Sequence, residues 1–156
     1  MNNASPIFAI RTSIEFVEEG HELAPKFNAD GLLTCVTSDA VSGELLMVGY
    51  MNEEALKLTL QTSLAHYYSR SRKKLWLKGA NSGLTQEVVE MRIDDDQDAV
   101  WLRVTVAGFG ASCHVGYRSC FYRAVEMPAG VLRFVEATKT FDPRQVYGDA
   151  PNPTQL

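Results

Sequence analysis

The sequence lacks any uninterrupted apolar run long enough to cross a bilayer, which takes about 20 residues in a helix. It also lacks a basic excess. Against 19 Asp and Glu there are 15 Lys and Arg, a net charge of −4, which argues against general nucleic-acid binding. The opening residues, MNNASPIFAIRTS, have neither the basic start nor the apolar stretch of a secretory signal, so the expected location is cytoplasmic. Only three cysteines are present, Cys35, Cys113 and Cys120. In a reducing compartment they exclude a disulfide framework, and two close cysteines point instead to metal binding or catalysis. There is no internal repeat and no low-complexity tract. What remains is 156 residues, 46% hydrophobic, enough for one domain with a buried core.

The pattern along the chain is strand-rich. TSIEFVEEGHELA reads as a helix with Thr12 or Ser13 as N-cap and Pro25 as its stop. GLLTCVTSDAVSGELLMVGYM reads as a hairpin around SDAVSG. NEEALKLTLQTS starts a second helix at Asn52, with Leu56, Leu60 and Leu64 as its apolar stripe. AHYYSR, QEVVEMRI, AVWLRVTV, SCFYRAVE and GVLRFVEA read as strands, and FDPRQVYGDAPNPTQL as a polar extension, docked or loose. The expected fold class is α+β, a strand-rich single domain with one or two short helices. Its parts are a helical lead-in over residues 1–30, a core over 31–123 and a C-terminal extension over 124–156.

Three segments carry chemistry. In GASCHVGYRSCFYR, Cys113 and Cys120 offer half of a tetrahedral zinc site beside His114, and a third ligand must come from elsewhere in the chain or from another subunit. In MRIDDDQDAVWL, strand alternation would put Asp94, Asp96 and Asp98 on one face and Asp95 with Gln97 on the other, beside the apolar residues. Like charges about 4 Å apart repel by about 1 kcal/mol in water and about 4 kcal/mol near a protein surface. Either these aspartates form a solvated turn, or they hold a hard cation such as Mg²⁺. In HYYSRSRKKLWLKGANSG, the residues Arg70, Arg72 and Lys78, the hydroxyls of Ser69, Ser71 and Ser82 and the backbone at Gly79 suit a phosphate. Arg118 joins this candidate set, and Trp76 is placed to stack on a base or to pack in the core.

Taken in order, YMNEEAL, HYYSRSRKKLWLKG…SG, D-x-D-x-D and CH-x-G-x-x-SCFYR resemble the phosphoribosyl-AMP cyclohydrolases of histidine biosynthesis, from about Gly31 to Arg123. The resemblance implies an intertwined homodimer that opens the adenine ring of N1-(5-phosphoribosyl)-AMP between N1 and C6. It implies Zn²⁺ activating the attacking water, Mg²⁺ on Asp94, Asp96 and Asp98, and His114 as proton shuttle. It implies no nucleic-acid or membrane partner. Cys113 and Cys120 match two of the family's three zinc cysteines, whose ligands are shared across the dimer. The third falls at Asp95, so the site is Cys₂Asp, recruits His114 or binds zinc weakly. Ala80 stands where the family usually has Glu. A divergent relative acting on another amidine ring, or binding a phosphorylated nucleotide without hydrolysis, is the alternative. With 33 residues after Arg123 (156 − 123), a companion pyrophosphohydrolase domain is not expected.

Overall fold

The computed structural model describes residues 4–156, so the first three residues of the lead-in lie outside the described residues. Helix α1 spans Ile14–Glu19, with the Ser13 hydroxyl accepting from the Phe16 amide at its start. It stops at Gly20, earlier than the expected Pro25. Any side chain at Gly20 would bring its Cβ to 2.3 Å from the Phe16 carbonyl oxygen.

The main sheet is built from β1 (Leu33–Asp39), β2 (Leu45–Met51), β5 (Gln86–Ile93) and β6 (Ala99–Val106), in the order β2-β1-β6-β5. β1 and β6 run parallel, and the outer strands are antiparallel to their neighbours. Between β2 and β5 the chain forms helix α2 (Glu53–Thr62) and a hairpin of β3 (His66–Ser69) and β4 (Lys74–Leu77). The sequence reading left β4 inside the basic segment. Its four residues are too few to show a strand period, and pairing with β3 creates it.

Asn52 caps α2 by accepting from the Ala55 amide at 2.9 Å. The buried side of α2 is Ala55, Leu56 and Thr59; Leu60 is largely exposed and Leu64 lies past the helix end, so the expected leucine stripe is only partly right. The Thr59 hydroxyl donates to Ala55 O and accepts from the His66 amide, tying α2 to β3. The core lies between the sheet and this α2–hairpin layer and includes Leu33, Cys35, Met51, Leu56, Tyr67 and Leu102. Tyr67 packs flat over β2 at Gly49, where a Cβ would meet its ring at 2.8 Å.

After β6, loop 107–122 leads to a second hairpin, β7 (Arg123–Glu126) and β8 (Val131–Phe134), shorter than the strands expected there. The extension closes with helix α3 (Pro143–Tyr147), capped by Asp142. It docks through Phe141, which packs with Leu84, Ala111, Val146 and Tyr147. The class is therefore α+β and strand-rich, with three short helices among the described residues rather than the expected one or two.

A chain of buried polar groups crosses the core. Thr37 and Tyr67 share a hydrogen bond of 2.7 Å, the Tyr67 hydroxyl donates to Gln86 Oε1 at 2.6 Å, and Gln86 Nε2 donates to the Ser112 hydroxyl at 3.0 Å. Tyr67→Phe leaves two buried groups short of a partner and should destabilise by about 1–3 kcal/mol. The denaturant midpoint should fall with an unchanged m-value. An unchanged midpoint would mean that this chain of bonds contributes nothing.

Candidate active site

Loop 107–122 has no helix or strand, yet short bonds fix it. Cys113 N–H donates to Tyr117 O, and Gly116 N–H returns to Cys113 O. Cys120 N–H donates to Leu46 O on β2 at 2.7 Å, and the Ser119 hydroxyl to Leu45 O at 2.6 Å. The result brings the Cys113 and Cys120 thiols together as a hydrogen-bonded pair, neither in a disulfide.

The pair gives up its first proton easily and holds its second. The Cys120 thiol donates to Cys113 and, with the Val115 amide, the Lys78 charge and the Tyr117 amide, lowers the Cys113 pKa to about 6 against the cost of burial. The same bond, burial and the neighbouring Cys113 charge push Cys120 far up. Lys78 is 5% exposed and its Nζ donates to Ser112 O at 2.7 Å. Burial lowers its pKa, and the two cysteines raise it. Among the sequence-picked basic residues, Lys78 thus stands inside the molecule beside the sulfurs, while Arg70 and Arg72 lie at the surface.

His114 is half-buried next to Cys113. Burial lowers its pKa, a hydrogen bond that the imidazole donates to the Asn152 side chain raises it, and Lys78 lowers it. The Thr154 hydroxyl lies 3.4 Å from its Nε2, so the C-terminal tail covers this imidazole. Nothing in the polar, Pro-rich tail signalled that contact.

The acidic segment departs from its expected geometry. β5 ends at Ile93, and residues 94–98 form a turn rather than a continued strand, so alternation does not apply there. Asp95 is exposed, not on an apolar face; Gln97 is the residue that turns inward, at 4% exposure. Asp94 Oδ1 accepts from the Asp98 and Ala99 amides. Ligand oxygens of Asp94, Asp95 and Asp96 lie within 4.8 Å of one another, among the described residues the one group of three potential metal ligands so gathered. Partial desolvation with the Asp96 and Asp94 charges pushes the Asp98 carboxyl up. Crowded carboxylates of this kind suit a hard divalent cation with oxygen ligands. Within one chain, neither Asp95 nor His114 completes a three-ligand set with the two sulfurs.

The basic segment forms the β3–β4 turn. Arg70 lies 4.0 Å from the Tyr50 ring centroid and Arg72 5.6 Å from that of Trp76. The Ser69 hydroxyl accepts from Arg72 N and Nε, and Ser71 is exposed. Trp76 packs on Tyr67 at 5.5 Å, which makes it part of the core wall. Gly79 has φ +84°, and a Cβ there would meet Thr85 N at 2.3 Å, so only glycine fits. The Ser82 hydroxyl accepts from the Leu84 amide. Arg118 pairs with Glu44 at 2.8 Å and Glu136 at 3.5 Å, so its charge is already engaged within the chain.

A profile of the family "Phosphoribosyl-AMP cyclohydrolase" matches residues 47–122, which hold the basic hairpin, the acidic turn and both loop cysteines. A Rhodopseudomonas palustris (strain HaA2) protein named phosphoribosyl-AMP cyclohydrolase is 56% identical over 143 residues, 90% of this chain and 96% of that protein. The chain belongs to the phosphoribosyl-AMP cyclohydrolase family. Proteins of that name from Agrobacterium fabrum (strain C58 / ATCC 33970) and Brucella abortus (strain S19) are 56% and 58% identical, over 86% and 78% of this chain and 91% and 88% of theirs. The expectation drawn from the motifs is met, and membership carries the enzyme class, a cyclohydrolase. The sequence signals that missed were those read through alternation at residues 94–98; the buried Gln86 and Gln97 had no signal except polar residues at inward positions.

In metal-free protein, ultraviolet thiolate absorbance should titrate with a midpoint of about 6, and Cys113→Ser should remove that step. A first thiolate appearing only near the free-cysteine value of about 8.5 would contradict the paired geometry.

Proposed function

We propose that this chain opens the adenine ring of N1-(5-phosphoribosyl)-AMP between N1 and C6, as a zinc- and magnesium-dependent homodimer acting in histidine biosynthesis in the cytoplasm. The observation that carries the reading is the paired Cys113 and Cys120 beside buried Lys78, an arrangement that lowers the Cys113 pKa, in a chain of this family. A thiolate, not a thiol, binds zinc, so a pair that ionises early is prepared for metal.

In this reading Cys113 and Cys120 hold zinc with Asp95 of the partner subunit, and Asp94, Asp96 and Asp98 hold Mg²⁺. The zinc would supply Lewis acidity and a water whose pKa falls from about 15.7 to about 7. His114, kept largely neutral by burial, accepts a proton from the attacking water and passes it toward the ring nitrogen. Arg70, Arg72 and the Ser69 and Ser71 hydroxyls meet the phosphates at the hairpin turn; Arg offers a planar fork that matches phosphate oxygens. Lys78 holds the loop and balances the thiolate charge from within.

Support for the homodimer comes from the β7–β8 hairpin. Val125, Met127, Val131, Leu132 and Phe134 are each more than half exposed there, and Phe121 beside it. An isolated two-stranded hairpin is marginal in water, and by the pairing register Val125, Leu132 and Phe134 share one face, an exposed apolar cluster of the kind that marks an interface. A second copy is the occupant that also supplies a third zinc ligand. No helix of the described residues is long and apolar enough to cross a membrane.

A second reading has its own support. Because the Asp95 carboxylate lies within 4.8 Å of Asp94 and Asp96, it is able to join the magnesium ligands instead. Asp95→Cys separates the two. As a zinc ligand, the new thiolate should tighten zinc and leave the Mg²⁺ requirement alone; as a magnesium ligand, its loss should raise the Mg²⁺ concentration needed for half activity.

Purified protein should turn over phosphoribosyl-AMP, and light scattering should give about twice 17.3 kDa. Arg72→Ala should raise KM about tenfold, the scale of one lost charged phosphate contact of about 1.4 kcal/mol. Zinc-loaded protein that binds the nucleotide without opening the ring would favour the non-hydrolytic alternative, for which Ala80 is the notable departure. A monomer with full turnover would rule out the shared site.

A further inference from the structure

The N-terminal lead-in does more than precede the core: it grips the acidic turn from behind. Gln97 lies between Asp96 and Asp98, and its side chain points away from the carboxylates into the molecule, at 4% exposure. Its Oε1 accepts from the Ala24 amide at 2.8 Å, and its Nε2 donates to Val17 O at 2.9 Å and Glu22 O at 3.4 Å. Its own carbonyl accepts from the Lys26 amide at 2.7 Å. On the other side Arg11 donates to Ala24 O at 2.6 Å and to the Asp96 carbonyl at 2.8 Å. Every polar group of the Gln97 side chain is used, and all of its partners are backbone atoms of one segment, residues 17–24.

The backbone sharpens the point. Gln97 has φ +58°, the left-handed region that glycine, and to a lesser degree Asn or Asp, adopts at lowest cost. A turn that needed only that conformation would be served best by one of those three. A glutamine there accepts a conformational penalty, and what it adds over Asn is reach: one more methylene, enough to bridge to the lead-in. The left-handed kink aims the Gln97 amide inward while its neighbours Asp94, Asp95 and Asp96 stay gathered at the surface.

We propose that Gln97, with Arg11, clamps the Asp94–Asp98 turn to the N-terminal lead-in and is a positioning residue for the cation that the aspartates hold. This rests on the magnesium reading above. Three carboxylates that repel one another spread apart unless something other than the cation holds their backbone, so a clamp made before the cation arrives lowers the cost of binding it. The lead-in, whose regular structure is only a six-residue helix, has this as a function.

The test uses the full chain, without substrate, and Mn²⁺ as an oxygen-preferring probe followed by electron paramagnetic resonance. Parent, Asp96→Asn, Gln97→Asn and Arg11→Met are compared. Gln97→Asn is the informative change because it eases the backbone and shortens only the reach. It should weaken Mn²⁺ about 10–100-fold, the usual cost of losing a group that orients a metal ligand, and speed amide exchange over residues 94–99. Activity should return at saturating Mg²⁺ with kcat near the parent value, which a general loss of fold would not allow. Arg11→Met should act in the same direction with a smaller effect and decides the matter if Gln97→Asn does not fold. Parent binding that Asp96→Asn abolishes, while Gln97→Asn and Arg11→Met stay within about twofold of the parent, overturns the clamp and leaves the magnesium reading standing. Parent binding that Asp96→Asn leaves unchanged overturns the magnesium reading, and the clamp's role with it.

Discussion

The site depends on a row of buried hydrogen bonds that begins in the sheet and ends at the cysteine loop. Thr37 on β1, Tyr67 on β3, Gln86 on β5 and Ser112 in the loop are linked in sequence, and Lys78 seals the end by donating to the Ser112 carbonyl. A loop without helix or strand cannot place two sulfurs by ladder bonds of its own. Here it is located by strands that are themselves packed, through groups that have no water to turn to. Each neutral bond is worth only about 0.5–1.5 kcal/mol net, but an orphaned member costs more. That asymmetry makes the row cooperative: it holds complete or it fails as a unit.

Electrostatics follow from this placement. Lys78 enters the interior as a cation, which burial disfavours; the Ser112 carbonyl, the Trp76 ring 5.3 Å away and the cysteine pair compensate it there. The first proton of the pair leaves early, in part because Lys78 is near. The ammonium and the first thiolate each favour the charged form of the other, against the cost of burial. Metal binding then has one proton fewer to displace at neutral pH. At the surface the opposite arrangement holds: basic residues gather at one hairpin tip and carboxylates at one turn, each left with its own sign and open to a ligand of the other.

The sequence revealed the parts with a strong local period and missed those decided by distant contacts. β5 and β6 have the bounds that their alternation implied, and Asn52 does cap α2, because short-range patterning decides them. β4 was not legible, since so short a strand exists only by pairing with β3. The first helix was read too long because the chain leaves the helix at Gly20, where the backbone turns extended (φ −77°, ψ 174°). Motif order was enough to reach the family, as ordered motifs from four segments are far more specific than any one. Roles within the motifs were harder to read. Lys78 looks like a phosphate-binding residue in a basic stretch, and only the packing of β4 shows its Nζ turned toward Ser112.

Asp95 sits where the fold can permit a change of side-chain chemistry. The turn that carries it is held by Asp94 accepting two amides, by the left-handed Gln97 and by the lead-in behind it. Among the described residues the Asp95 side chain makes no hydrogen bond within that scaffold, and it is exposed. A thiol or a carboxylate at this position therefore serves the turn equally well, and the replacement costs the fold nothing beyond added charge. That charge is the consequence: a carboxylate now lies with Asp94 and Asp96, where solvent screens the repulsion and a cation or a partner across an interface would relieve it further. If Asp95 is the zinc ligand of the proposed reading, exchanging a soft ligand for a hard one would leave the protein's architecture intact and move the whole effect onto which metal is preferred and how tightly it is held.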